Sequence, residues 1–140
     1  MRIIVGVDDS DMAESAARRA LDFGGRLGAE IDIVNVSHVP STVLAAMAGV
    51  PTVAEDFAHA QREAVWKRMA PLLEGTNARR VDLEGYPPDA LIEHARATSA
   101  DLIVVGSRGR GDLASLLLGS TSHRVVNNAP CDVMVVREED

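Results

Sequence analysis

Four short runs rich in β-branched residues, Ile3 to Val7, Ile31 to Val36, Leu102 to Val105 and Val133 to Val136, recur along the chain, with helical patterns filling most of the sequence between them. Continuous apolar runs bounded by turn residues suit strands buried on both faces, as in a parallel sheet covered by helices on each side. A weaker run from Arg79 to Leu83 alternates polar and apolar residues, the pattern of a strand near a sheet edge, and stands third in chain order.

Between the first two strands Ala13, Ala16, Ala17, Ala20, Leu21, Gly24 and Leu27 repeat at helical spacing, with Ser10 or Asp11 placed to cap the start and Gly28 the end. A second helix is predicted over Val53 to Leu73, with Phe57, Ala60, Ala64, Val65 and Leu72 on one face and Pro71 kinking or fraying the last turn. Pro88 fits the first turn of a third helix, whose inner stripe is Leu91, Ile92 and Ala95. A last helix is predicted from about Ser120 to Asn128, because Pro130 disfavours continuation. The tract from Val39 to Ala54, broken by Pro40 and Pro51, reads as a loop. The resulting βαβαβαβαβ order calls for an α/β fold with a doubly wound parallel sheet and helices on both faces, in one domain spanning residues 1–140.

Aromatic residues make up only 3% of the chain, so the core has to be aliphatic. A net charge of −7 with no basic block removes the electrostatic drive for nucleic-acid binding. The single cysteine, Cys131, permits no internal disulfide and suits a reducing cytoplasm. No apolar stretch has the length of a signal peptide or a bilayer span, so no membrane partner is expected.

The chemistry concentrates after the fourth strand, in Gly106-Ser107-Arg108-Gly109-Arg110-Gly111 and then Gly119-Ser120-Thr121-Ser122 at the start of the last helix. Glycine lets a backbone approach a phosphate closely, and free amides at a helix N-terminus attract an anion. Two glycine clusters in one loop suggest a phosphate wrapped from both ends, with Gly119 and Ser120 supplying backbone donors. Glycines between a strand and a helix also make plain tight corners, so the loop alone leaves both readings open.

The spacing Gly106-x2-Gly109-x9-Gly119-Ser120, just before Ala129-Pro130-Cys131-Asp132-Val133-Met134-Val135-Val136, resembles the ATP-binding signature and final strand of the universal stress protein family. The opening Ile3-Ile4-Val5-Gly6-Val7-Asp8-Asp9-Ser10 is similar to that family's first strand and acidic turn. The resemblance implies a five-stranded sheet of order 3-2-1-4-5, of the adenine nucleotide alpha hydrolase-like type. It also implies a nucleotide site in which Gly6, Val7 and Asp8 lie beside the adenosine, Asp8 contacts the ribose and Val36 lines the adenine pocket. Val105 and Gly106 would flank base and ribose, Arg108 and Gly109 would begin the phosphate loop, and Gly119, Ser120, Thr121 and Ser122 would complete it. The implied ligand is ATP, with AMP or another adenine nucleotide as alternatives and Mg²⁺ accompanying ATP. In the implied order the reversal of winding between strands one and four opens a crevice at their carboxyl ends, where Asp8 and Gly106 emerge. Two departures stand out: Asp9 replaces a frequent glycine, and its added carboxylate either repels a triphosphate or helps hold Mg²⁺; Thr121 stands where relatives are frequently apolar.

Other candidates carry less. Asp8 and Asp9 leave a strand pointing apart and have no partner acid or nucleophile, which favours ligand contact for Asp8 and a solvated or capping role for Asp9. His38, His59, His94 and His123 share no metal-ligand spacing and read as surface or satisfied histidines. Arg108 is placed to neutralise phosphate, and Arg110 reads as solubilising. The only lysine is Lys67, so a Walker loop is absent and rapid phosphoryl transfer is unsupported. A catalytic set is therefore not assigned. The expected function is an ATP-binding stress-response regulator with slow or no hydrolysis, against a nucleotide-independent scaffold dimer or a weak ATPase. The apolar last strand, at a sheet edge in the implied order, invites antiparallel pairing of Val133 to Val136 with the same strand of a second copy.

Overall fold

The computed structural model describes residues 1–39, 41–46, 51–109 and 118–137. Its strands are β1 (Arg2–Val7), β2 (Glu30–Ser37), β3 (Arg79–Glu84), β4 (Leu102–Gly106) and β5 (Asp132–Val136). They pair in parallel throughout, in the order β3-β2-β1-β4-β5, which is the sheet implied by the resemblance.

The helices are α1 (Asp11–Leu27), α2 (Ser41–Ala46), α3 (Pro51–Leu73), α4 (Pro87–Ala97) and α5 (Ser120–Asn128). Successive side chains of β1 separate two apolar layers. Ile3, Val5 and Val7 pack with α1 residues Ala13, Ala16, Ala17 and Ala20 and with Val65 and Met69 of α3. Ile4 faces the other way, into Leu91, Ile92 and Ala95 of α4 and Val125 of α5. Both buried clusters are aliphatic, as the scarcity of aromatic residues requires. The Ser10 hydroxyl caps α1 by accepting the Ala13 amide at 3.1 Å, and Gly28 ends that helix in the left-handed conformation, φ 66°.

Two sequence expectations are corrected. The tract read as a loop from Val39 to Ala54 is helical at residues 41–46 and 51–54. Its prolines mislead because Pro51 occupies the first position of α3, where a missing N–H is harmless; Pro40 and residues 47–50 lie outside the described residues. On α3 the buried stripe is Val65 and Met69, whereas Ala60 is exposed, because only the later part of the helix reaches the sheet layer. The helix runs on through Pro71 and ends at Leu73.

Candidate functional site at the carboxyl edge of the sheet

The chain leaves β1 toward α1 on one face, whereas α4 and α5 cover the opposite face beside β4, so the winding reverses between β1 and β4. A cavity of about 260 Å³ opens there. Gly6, Val7 and Asp8 at the end of β1, and Val105, Gly106, Arg108 and Gly109 at and beyond the end of β4, form one side. Ser120, Thr121 and Ser122 at the start of α5 and Val36 of β2 also line it, so eleven of the twelve site residues expected from the sequence converge. Two glycines let the walls close. A Cβ on Gly6 would stand 2.7 Å from a Leu91 methyl, and one on Gly106 would stand 3.1 Å from the Met12 carbonyl oxygen.

Gly119 is the exception. It is buried and does not line the cavity, and its amide donates to the Ser107 carbonyl at 2.6 Å. The buried Ser122 hydroxyl shares the same carbonyl, at 3.0 Å, and the Gly119 carbonyl, at 3.1 Å. Arg110 lies outside the described residues.

The turn after β1 is held from two sides. Asp8 is half-buried and accepts a short hydrogen bond from the Ser10 hydroxyl, the group that also caps α1. Asp9, expected to be solvated or capping, instead pairs with Arg68 of α3 at 3.3 Å, and Arg68 also binds Asp11 and Glu14. Arg18 and Arg68 together hold the Glu14 carboxyl below its usual range. Charge pairing thus fixes the α1 N-terminus to α3 while Asp8 stays at the cavity.

Sequence reasoning missed Ser10, Ala13, Val34, His38, Tyr86, Pro87 and Leu91 in the lining. His38, read as a surface or satisfied histidine, follows β2, and Tyr86 follows β3 after Gly85. In a parallel sheet these ends share the edge where β1 and β4 open, and that topological rule was the available signal. Among the described residues no cluster of three or more His, Cys, Asp or Glu side chains is arranged to hold a metal, and no helix is long and apolar enough to cross a membrane.

The family model for the Universal stress protein family matches residues 1–137. The universal stress protein YxiE of Bacillus subtilis is 31% identical, over 97% of this chain and 98% of its own, and a universal stress protein of Methanocaldococcus jannaschii is 33% identical, over 98% and 82%. Among solved structures, the universal stress protein UspA from Lactobacillus plantarum superposes with a TM-score of 0.84 at 25% identity, covering 98% of this chain and 97% of that one. A universal stress protein in complex with cAMP superposes at 0.69 with 29% identity, covering 97% and 96%. With its sheet order, its glycine-rich segment and nearly its whole length matched, this chain belongs to the universal stress protein family.

Proposed function

We propose that the protein binds an adenine nucleotide, ATP in the first instance, at the carboxyl edge of β1 and β4, and acts as a regulatory factor in a stress response with little or no hydrolysis. The observation that carries this reading is the cavity itself: a carboxylate, Asp8, stands in the same opening as Arg108, Gly109 and the first turn of α5. A carboxylate accepts hydrogen bonds from ribose hydroxyls, and a helix N-terminus with a nearby guanidinium favours phosphate. The enclosed volume is close to the lower end of small-molecule pockets, about 300 Å³, which suits a nucleoside whose phosphates reach outward past Arg108. The complex of a related protein with cAMP supports an adenine nucleotide as the class of ligand. In this reading Mg²⁺ arrives with ATP, bound to its phosphates, because the described residues offer no preformed metal cluster. The regulatory form is a two-fold dimer paired through β5, in a cytoplasmic protein.

Thermal melting against a nucleotide series tests the site. At a hundredfold excess over Kd, a ligand specific for the folded state adds about 2.7 kcal/mol of stability. ATP, AMP or cAMP should therefore raise Tm by several degrees, and a melting temperature unmoved by all three at millimolar concentration leaves only the scaffold reading. Phosphate release above a no-protein control, lost in Asp8→Asn, would instead establish an ATPase.

A further inference from the structure

The cavity lining divides by element. Asp8, Ser10, Arg108 and Ser120, from the turn after β1, the segment after β4 and the start of α5, are polar, whereas Val34 and Val36 of β2 and Leu91 of α4 are apolar, and two rings that adjoin these last elements, His38 and Tyr86, also line the cavity. The ring centroids are 5.9 Å apart with the planes at 62°. Tyr86 is the only tyrosine in an aromatic-poor chain and is 47% exposed. It stands at the cap position of α4 yet makes no side-chain capping bond, so the helix does not account for its ring. The ring is nonetheless held. The Arg124 guanidinium lies 5.8 Å from its centroid, and Asp89 anchors Arg124 through a 2.6 Å hydrogen bond. A ring held in place beside apolar lining and left half in water gains most from a flat, apolar-faced partner that covers it.

We propose that Tyr86 and His38 are specificity-determining residues of the cavity: they receive the flat base of the nucleotide beside the apolar lining from β2 and α4, with Arg124 as a positioning residue for Tyr86, so that the site selects a nucleobase over a bare phosphosugar. The inference rests on the nucleotide reading above and adds to it a recognition element outside the glycine-rich segment. Tyr86→Ala is suited to test it, because the side chain is exposed and contributes no cap hydrogen bond.

Tyr86 also provides a direct reporter, since 3-fluorotyrosine labelling yields a single ¹⁹F resonance. ATP should shift that resonance, whereas ribose 5-phosphate, which has the sugar and phosphate but no base, should leave it in place. Tyr86→Ala should weaken ATP binding by about tenfold, the loss typical of one base–aromatic stack, and Tyr86→Phe should restore it. The fluorescence of the single tryptophan, Trp66, which lines a different surface groove, checks that each variant remains folded. If ATP binds with the resonance unmoved, or binds Tyr86→Ala as tightly as the unsubstituted protein, the aromatic rim is wrong and the nucleotide site stands. If the unsubstituted protein binds no nucleotide by calorimetry, both readings fall together.

Discussion

The Gly119 amide donates to the Ser107 carbonyl across 2.6 Å, which brings together the two ends of the glycine-rich segment. The Ser122 hydroxyl reaches the same carbonyl, and the Ser107 amide donates to Val136 of β5 at 2.8 Å. One residue therefore ties the neck of the segment to the sheet. The consequence is a division of labour: Gly119 uses its donor for closure, and the residues that line the cavity at this end are Ser120, Thr121 and Ser122.

That closure predicts the effect of Ser122→Ala. The Ser107 carbonyl keeps its bond from Gly119, so the substitution leaves no orphaned acceptor there, and the loss is that of one buried hydrogen bond, about 1 kcal/mol. Tm should fall by about 4 °C. Ser122→Val, which adds a methyl in a buried position, should cost more; equal melting temperatures for both variants and the parent would mean that the neck does not depend on this hydroxyl.

The convergence of Asp8 with Gly106 was legible because strand order carries the ends of β1 and β4 to one edge, and that order was implied by the resemblance, the apolar runs giving only the sequence of elements. The orientation of the Gly119 amide was not legible. Sequence identifies a residue free to approach a phosphate but not whether a neighbouring carbonyl, here that of Ser107, reaches it first. The aromatic rim escaped for a different reason: His38 and Tyr86 belong to no local motif, and they meet only because β2 and β3 are adjacent in the sheet. The helical residues 41–46 and 51–54 are hidden in the sequence because a tract with two prolines reads as broken, although proline is compatible with the first position of a helix, as Pro51 is in α3.

The two wall glycines should respond differently to alanine. At Gly106 the new methyl meets Met12 backbone atoms, the carbonyl oxygen at 3.1 Å and its carbon at 3.2 Å, in the first turn of α1. Relief requires moving the helix, so Gly106→Ala should destabilise by about 1–3 kcal/mol, as overpacking does. At Gly6 the nearest atoms are the Leu91 δ-methyls, which can turn aside toward the cavity that Leu91 lines. Gly6→Ala should therefore retain more stability while lowering nucleotide affinity. Urea denaturation and ATP titration of the two variants separate these effects, and a greater loss of stability at Gly6 would contradict the geometry.

Asp32 makes stability depend on acid. Its side chain is 1% exposed on β2, on the layer opposite α1, and burial pushes its carboxyl up. Hydrogen bonds from Arg79, at 2.9 and 3.2 Å, and contact with His94, at 3.1 Å, outweigh that, helped by the charges of Arg79 and Arg2, so the net shift is downward. A carboxyl with a lower pKa in the folded state contributes stability above its unfolded value, about 3.9, and loses it as pH falls through the folded value. Unfolding free energy should therefore decline as pH drops below about 4, and Asp32→Asn should flatten that part of the acid limb. The substitution should also cost about 2 kcal/mol at pH 7, less than the 3–5 kcal/mol of a fully enclosed pair, because Arg79 reaches solvent. An acid limb of unchanged slope in Asp32→Asn would assign the pH dependence to other carboxylates.

The position of β5 at the end of the sheet supports a prediction about assembly. The Val136 carbonyl accepts the Ser107 amide next to β4, so Val136 directs its backbone groups inward. Backbone groups alternate sides along a strand, and Val135 accordingly directs its N–H and C=O away from β4, to the outer side of the sheet. Proline is tolerated in a sheet only where the missing N–H faces outward, so Val135→Pro should preserve the ladder to β4 while removing a donor that a second copy of β5 would use. If the protein pairs through this strand, sedimentation velocity at micromolar concentration should resolve a dimer for the parent and a monomer for Val135→Pro, with unchanged circular dichroism. A parent that sediments as a monomer, or a Val135→Pro variant that remains fully dimeric, would place any self-association elsewhere than on the outer edge of β5.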